Sequence, residues 1–123
     1  MWSGLCLFLD LPSKGLKINI QRLETLLQTY FRLDSFRPGQ REIITSLLAG
    51  QDTLAVMPTG GGKSLCYQLP AVAQSGISVV VSPLVALMND QVASLRQLGL
   101  SAGAIHSGMD THEKQKVFQE LKS

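Results

Sequence analysis

What most limits the folds open to this chain is the string Met57-Pro58-Thr59-Gly60-Gly61-Gly62-Lys63-Ser64, set between a short apolar run and a helix-like stretch. Glycine loses more conformational freedom on folding than any other residue, so three in succession point to a backbone shape that other residues cannot adopt. In a strand-to-helix turn, such a loop lets successive N–H groups converge on an anion, and the following helix N-terminus adds partial positive charge. At this spacing Lys63 would reach the β- and γ-phosphates of a nucleotide and act there catalytically, while the Ser64 hydroxyl would ligate Mg²⁺. The usual pattern opens with a glycine where this chain has Met57. The competing reading is a glycine-rich turn that binds nothing.

The surrounding pattern supplies the context that the loop needs. Leu23, Leu26, Leu27, Tyr30 and Phe31 recur at helical spacing. A second helix is expected from Pro38, with Ile43, Ile44, Leu47 and Leu48 on one face and Gly50 at its end. The period then changes. Thr53 to Met57, Ile77 to Val81 and Ala102 to Ile105 are short apolar, partly β-branched runs that read as buried strands. Helical stretches at Lys63 to Gln74 and Pro83 to Leu98 separate them, the second capped by Ser82 and closed by Gly99. Strand, helix, strand, helix, strand predicts an α/β fold with a parallel sheet flanked by helices. A last helix is expected from Thr111, announced by Asp110 and Glu113 as a capping-box variant.

Bulk properties narrow the function classes. The chain has 123 residues, 45% of them hydrophobic and 16% charged, which suits one folded domain and argues against disorder. A net charge of +2 predicts no general nucleic-acid surface by itself. Cys6 and Cys66 lie far apart without a CxxC, so a reducing cytoplasm is expected and neither disulfide nor zinc is implied. His106 and His112 lack a ligand set around them and are read as loop and surface residues. The apolar run Leu5 to Leu9 has no basic residue before it and is broken by Asp10 and Pro12, which makes it a poor signal peptide. Residues 1–19 are read as an extension of unknown role, and no membrane span is expected.

Flanking residues then carry a resemblance. The run MPTGGGKSLCYQLPA, Met57 to Ala71, is similar to the nucleotide-binding motif of RecQ-family DNA helicases. SPLVALMNDQV, Ser82 to Val92, looks like that family's next motif, and Phe36-Arg37-Pro38-Gly39-Gln40 resembles its adenine-recognition motif. The resemblance implies a P-loop NTPase of RecA-like fold over residues 20–123, incomplete and ending before the Asp-Glu motif. It implies ATP and Mg²⁺ as cofactors, held by Arg37, Gln40, Thr59, Gly60, Gly61, Gly62, Lys63 and Ser64. Gln40 would read the adenine edge and Arg37 would lie beside the same nucleotide. It further implies single-stranded or partially duplex DNA as partner, contacted at Ser82, Pro83 and Leu84, where a helix N-terminus could hold phosphate without a basic side chain. After Phe31 the family usually has glycine and then often an aromatic; this chain has Arg32 and Leu33.

An Asp-Glu-Ala-His motif, which in the family holds Mg²⁺ and orients water, does not occur in the 123 residues. Nor does a second motor domain with its arginine finger, so the isolated chain is not expected to unwind DNA. The expectation is the N-terminal piece of an ATP-dependent 3′-to-5′ DNA helicase of repair and recombination, cytoplasmic and nucleoid-associated if bacterial, with the remaining helicase portion as partner if the gene is split. The alternatives are a nucleotide-binding remnant without turnover and a small P-loop kinase, the latter requiring a strand-end acid and a lid that are not found.

Overall fold

A computed structural model describes residues 5–11, 20–58, 60, 62–74 and 76–122. Two compact units divide the chain, one formed by Pro12–Ser75 and the other by Met1–Leu11 with Gly76–Ser123.

The Pro12–Ser75 unit is helical. Helix α1 spans Ile20–Phe31, α2 spans Gln40–Leu48 and α3 spans Lys63–Ala73. Leu23 and Leu27 of α1 and Ile44 of α2 enter the core as their spacing predicts, and with Leu65 and Leu69 of α3 they form one buried cluster, with Phe31, Phe36 and Leu48 packed against it. Burying a side chain of this size contributes about 1.5–3 kcal/mol, so this cluster is what fixes α3 against its neighbours. Helix α3 continues through Pro70, which is buried. Helix α2 begins at Gln40 rather than at the expected Pro38, because Gly39 adopts φ 86° and serves as its N-cap. The amide of Gln40 closes a turn on the Arg37 carbonyl at 3.2 Å.

Arg32 ends α1 in the left-handed region with φ 56°, alone among the described non-glycine residues. Leu33 N–H donates back to the Leu27 carbonyl at 3.3 Å. This is the place where a glycine would sit without strain.

The strand expected at Thr53 to Met57 is not formed; the backbone there has no regular structure, and Leu54 and Val56 are 93% and 91% exposed. Apolar and β-branched content suits a sheet surface but produces a strand only beside a partner edge.

In the other unit, β1 (Leu5–Leu11) lies between β2 (Gly76–Ser82) and β3 (Ser101–Ile105), in the order β2-β1-β3. Both pairings are antiparallel, with Leu7 opposite Val80 and Ala104. The expected parallel sheet is therefore corrected in this unit: β2 and β3 run the same way, but the strand between them comes from residues 5–11 and runs against both. Period-2 patterns mark a strand without fixing which neighbour it takes.

Helix α4 (Val85–Gln97) buries Met88, Val92 and Leu95. Helix α5 (Thr111–Lys122) comes so close to β3 that a Cβ on Gly103 would lie 2.9 Å from Val117. The capping box forms as expected, with Glu113 N–H donating to Asp110 Oδ1 at 2.8 Å and Asp110 N–H to Glu113 Oε2 at 3.2 Å. No described helix is long and apolar enough to cross a membrane.

Candidate functional site

The helix expected after the glycine string forms as α3, beginning at Lys63. Gly62 is the N-cap of α3 with φ 82° and ψ 40°, and Gly60 has φ 83°. Both angles are left-handed, a region open to glycine at little cost. Lys63 and Ser64 then occupy the first turn of α3, the end at which a helix directs its backbone N–H groups outward. Leu65 and Leu69 hold that turn in place by packing into the core two and six residues on from Lys63.

Two residues at the start of α2, Arg37 just before it and Gln40 at its first position, reach the loop. Arg37 Nη1 donates to the Gly60 carbonyl at 2.6 Å, and Gln40 Nε2 donates to the Gly62 carbonyl at 3.0 Å. The Gln40 Oε1 accepts from the Arg37 backbone N–H at 2.8 Å. Gln40 is only 3% exposed, so this amide is a buried polar group whose acceptor and donor are both engaged within the protein. A Cβ placed on Gly62 would run into Gln40 Nε2. The fit of Gln40 against the glycine is thus as close as a missing side chain allows.

Arg37, Gly60, Gly62, Lys63 and Ser64 line an open cleft of about 380 Å³. That volume lies within the usual range for small-ligand pockets. Lys63 is exposed. A Lys ammonium, a Ser hydroxyl and a helix N-terminus at one cleft make a donor set for an anion with a hard divalent cation beside it.

Cys66, one turn into α3, is buried, and its thiol approaches the Gly62 carbonyl at 3.7 Å and Met57 Sδ at 3.8 Å. Burial pushes that thiol above its ordinary range, with the backbone hydrogen bond opposing.

Six of the expected nucleotide residues therefore come together: Arg37, Gln40, Gly60, Gly62, Lys63 and Ser64. Thr59 and Gly61 lie outside the described residues. The Gln40 amide, expected to read an adenine edge, hydrogen-bonds the Arg37 N–H and the Gly62 carbonyl. That contact was missed in the sequence because nothing in the spacing of Gln40 and Gly62 brings them together.

Ser82, Pro83 and Leu84 belong to the other unit. Helix α4 starts at Val85, two residues later than expected, and its N-cap is Leu84 without a side-chain cap bond. The Ser82 hydroxyl accepts the Leu84 N–H at 3.2 Å, making a local turn ahead of the helix and not the expected cap. Pro83 and Leu84 are exposed. Among the described residues no group of three or more His, Cys, Asp or Glu could hold a metal ion. His106 Nδ1 accepts the Gly108 N–H at 3.1 Å in its loop.

Comparison with known proteins bears on what this loop serves. Residues 37–123 match the model of the DEAD/DEAH box helicase family, which is more than half of the chain. The chain is 48% identical over 103 residues to the ATP-dependent DNA helicase Q-like 4B of Arabidopsis thaliana, covering 84% of this chain and 9% of that protein. It is 50% identical over 101 residues to the ATP-dependent DNA helicase RecQ of Synechocystis sp., covering 82% and 21%. To the ATP-dependent DNA helicase RecQ of Haemophilus influenzae it is 43% identical over 115 residues, covering 94% and 19%. The chain thus spans no more than about a fifth of the length of these relatives. With the glycine loop, the Lys-Ser ending and the Phe36-to-Gln40 segment assembled in one unit, the chain belongs to the DEAD/DEAH box helicase family and is of the RecQ type.

Proposed function

We propose that the chain is the ATP-binding part of an ATP-dependent 3′-to-5′ DNA helicase acting in DNA repair and recombination. The observation that carries this reading is the cleft at the start of α3, where Arg37, Gly60, Gly62, Lys63 and Ser64 meet. Lys63 contacts the β- and γ-phosphates and offsets the charge that develops during phosphoryl transfer, while Ser64 ligates Mg²⁺. Thr59, Gly60, Gly61 and Gly62 surround the phosphates with backbone, and Arg37 lies beside the nucleotide. Adenine reading by Gln40 would require its amide to leave the Arg37 and Gly62 bonds.

The residues present suit Mg²⁺-ATP: a hard hydroxyl oxygen for the cation and nitrogen donors for the phosphates. Mg²⁺ supplies neutralisation of phosphate charge. No Asp-Glu pair occurs in these residues, so binding is expected from them without appreciable turnover or unwinding. Ser82, Pro83 and Leu84, together with the first N–H groups of α4, contact the phosphates of single-stranded or partially duplex DNA.

The test is titration of a fluorescent ATP analogue with Mg²⁺ into the purified chain and into Lys63→Ala, both shown to be folded by circular dichroism. Binding that is lost in Lys63→Ala is the expected result. A folded chain that binds no analogue would overturn the proposal in favour of a remnant that has kept the family's sequence but not its ligand.

A further inference from the structure

We infer that the Pro12–Ser75 unit holds a second ligand site, an apolar cleft between α2, the Thr53 to Met57 segment and the first turns of α3, which takes a small amphipathic monocarboxylate and thereby antagonises the nucleotide. The antagonism rests on the nucleotide-binding reading of the glycine loop; the cleft itself stands without it.

The cleft exists because Thr53 to Met57 forms no strand. That segment lies beside Ile43 and Leu47 of α2 and Tyr67 of α3 without closing on them, and a space of about 450 Å³ remains. A volume of this size suits a small ligand. Its walls are mostly apolar, and no acidic residue lines it. Ile43, Leu47 and Met57 are half-buried there, so a hydrocarbon laid against them removes apolar surface from water on both partners.

Polar groups at the cleft are few. The Thr53 hydroxyl is taken up by Ser46 Oγ at 2.8 Å and the Gln51 carbonyl at 3.0 Å. The Cys66 thiol faces the Gly62 carbonyl and Met57 Sδ. Lys63 differs: among the described residues its ammonium has no hydrogen bond or ion pair. An apolar cleft with one uncommitted cation and no anion complements a ligand of matching build, a short hydrocarbon body ending in a single carboxylate. A triphosphate does not suit those walls, because its charges would lose water without gaining partners.

Lys63 is also the one residue that this cleft shares with the cleft of the glycine loop. An ammonium engaged by a carboxylate is withdrawn from the phosphates. The coupling is mutual, so each ligand weakens the other by the same factor.

Calorimetric titration of the whole chain with octanoate tests the site, with octanol as its uncharged counterpart, acetate as the charge without the tail, and Mg²⁺-tripolyphosphate for the phosphates of the nucleotide. Octanoate is expected to bind at one saturable site per chain, and acetate not to bind. Octanoate and Mg²⁺-tripolyphosphate should weaken each other by roughly 5- to 10-fold, the lower end of ordinary coupling because Lys63 is exposed. Ala55→Trp, which fills the cleft from an exposed position, should abolish octanoate binding and leave tripolyphosphate binding unchanged. Lys63→Ala should reduce the affinity for octanoate to that for octanol.

Octanoate binding undiminished in Ala55→Trp, or the two ligands bound without mutual effect, overturns the inference while the nucleotide site stands. The absence of saturable octanoate binding overturns it whether or not tripolyphosphate binds. Octanoate bound in the cleft by a chain that takes no tripolyphosphate overturns the nucleotide reading, and the antagonism with it. If octanoate acts only by separating associated chains, seen as a fall in sedimentation coefficient, the cleft belongs to a second copy and the inference is overturned. If Ala55→Trp does not fold, the ¹³C-methyl signal of Met57 in the unmutated chain decides: a shift on adding octanoate supports the site, and none overturns it.

Discussion

Replacing Gly62 by alanine tests the geometry of the loop most sharply, because two separate penalties meet at that residue. Its φ of 82° lies in the left-handed region, where a Cβ costs about 1–2 kcal/mol. The new methyl group would also occupy the position of Gln40 Nε2, forcing the amide to withdraw and leaving a buried donor and the Gly62 carbonyl without each other. A stranded buried polar group costs about 1–3 kcal/mol. Gly62→Ala is therefore expected to destabilise the Pro12–Ser75 unit by about 2–5 kcal/mol. Gly60 is the internal control: its φ is 83°, yet a Cβ there would meet nothing within 4 Å, so Gly60→Ala should cost only the backbone part. Urea denaturation followed by circular dichroism at low temperature measures both. In the background of Gln40→Ala the excess cost of Gly62→Ala should largely vanish, since the clashing atom is gone. Equal costs at Gly60 and Gly62, or an undiminished cost at Gly62 without Gln40, would refute the packing described here.

Arg32→Gly should stabilise the chain by roughly 0.5–1 kcal/mol, the relief of left-handed strain at φ 56° less the entropy that glycine loses on folding, read as a shift of the urea midpoint at constant slope. Cys66 gives a pH signature. Its folded-state thiol is held above the ordinary range, so the native state keeps a proton that the unfolded chain gives up. The associated stability is complete below the unfolded thiol's range and is lost as pH rises through the folded one, and a Cys66→Ala chain should lack this alkaline decline in urea titrations.

The helices were legible in the sequence because each carries its own evidence. Leu23 and Leu27 recur at helical spacing and enter the core, and Asp110 with Glu113 closes the capping box at both of its bonds. Helix starts were less legible: Pro38 and Ser82 each look like a boundary residue, but Gly39 and Leu84 take the N-cap positions. Strands were harder again. Ile77 to Val81 and Ala102 to Ile105 fall within β2 and β3, yet their partner is the segment at 5–11, whereas the run at Thr53 to Met57 stays unpaired as a strand. A strand's partner is a tertiary fact, absent from its own letters. The site divides in the same way. Glycines, lysine and serine announce a phosphate loop by type and spacing, but the clasp from Gln40 and Arg37 spans more than twenty residues and depends on how α2 and α3 pack.

The proposed function stands or falls on nucleotide binding at the loop at the head of α3. Hydrogen–deuterium exchange of the whole chain with and without saturating Mg²⁺-ATP tests it most directly. A nucleotide held at this loop slows exchange at the amides of Gly62 to Cys66, and the slowing is abolished in Lys63→Ala; unchanged exchange there while ATP is demonstrably bound and protects some other segment would rule this site out.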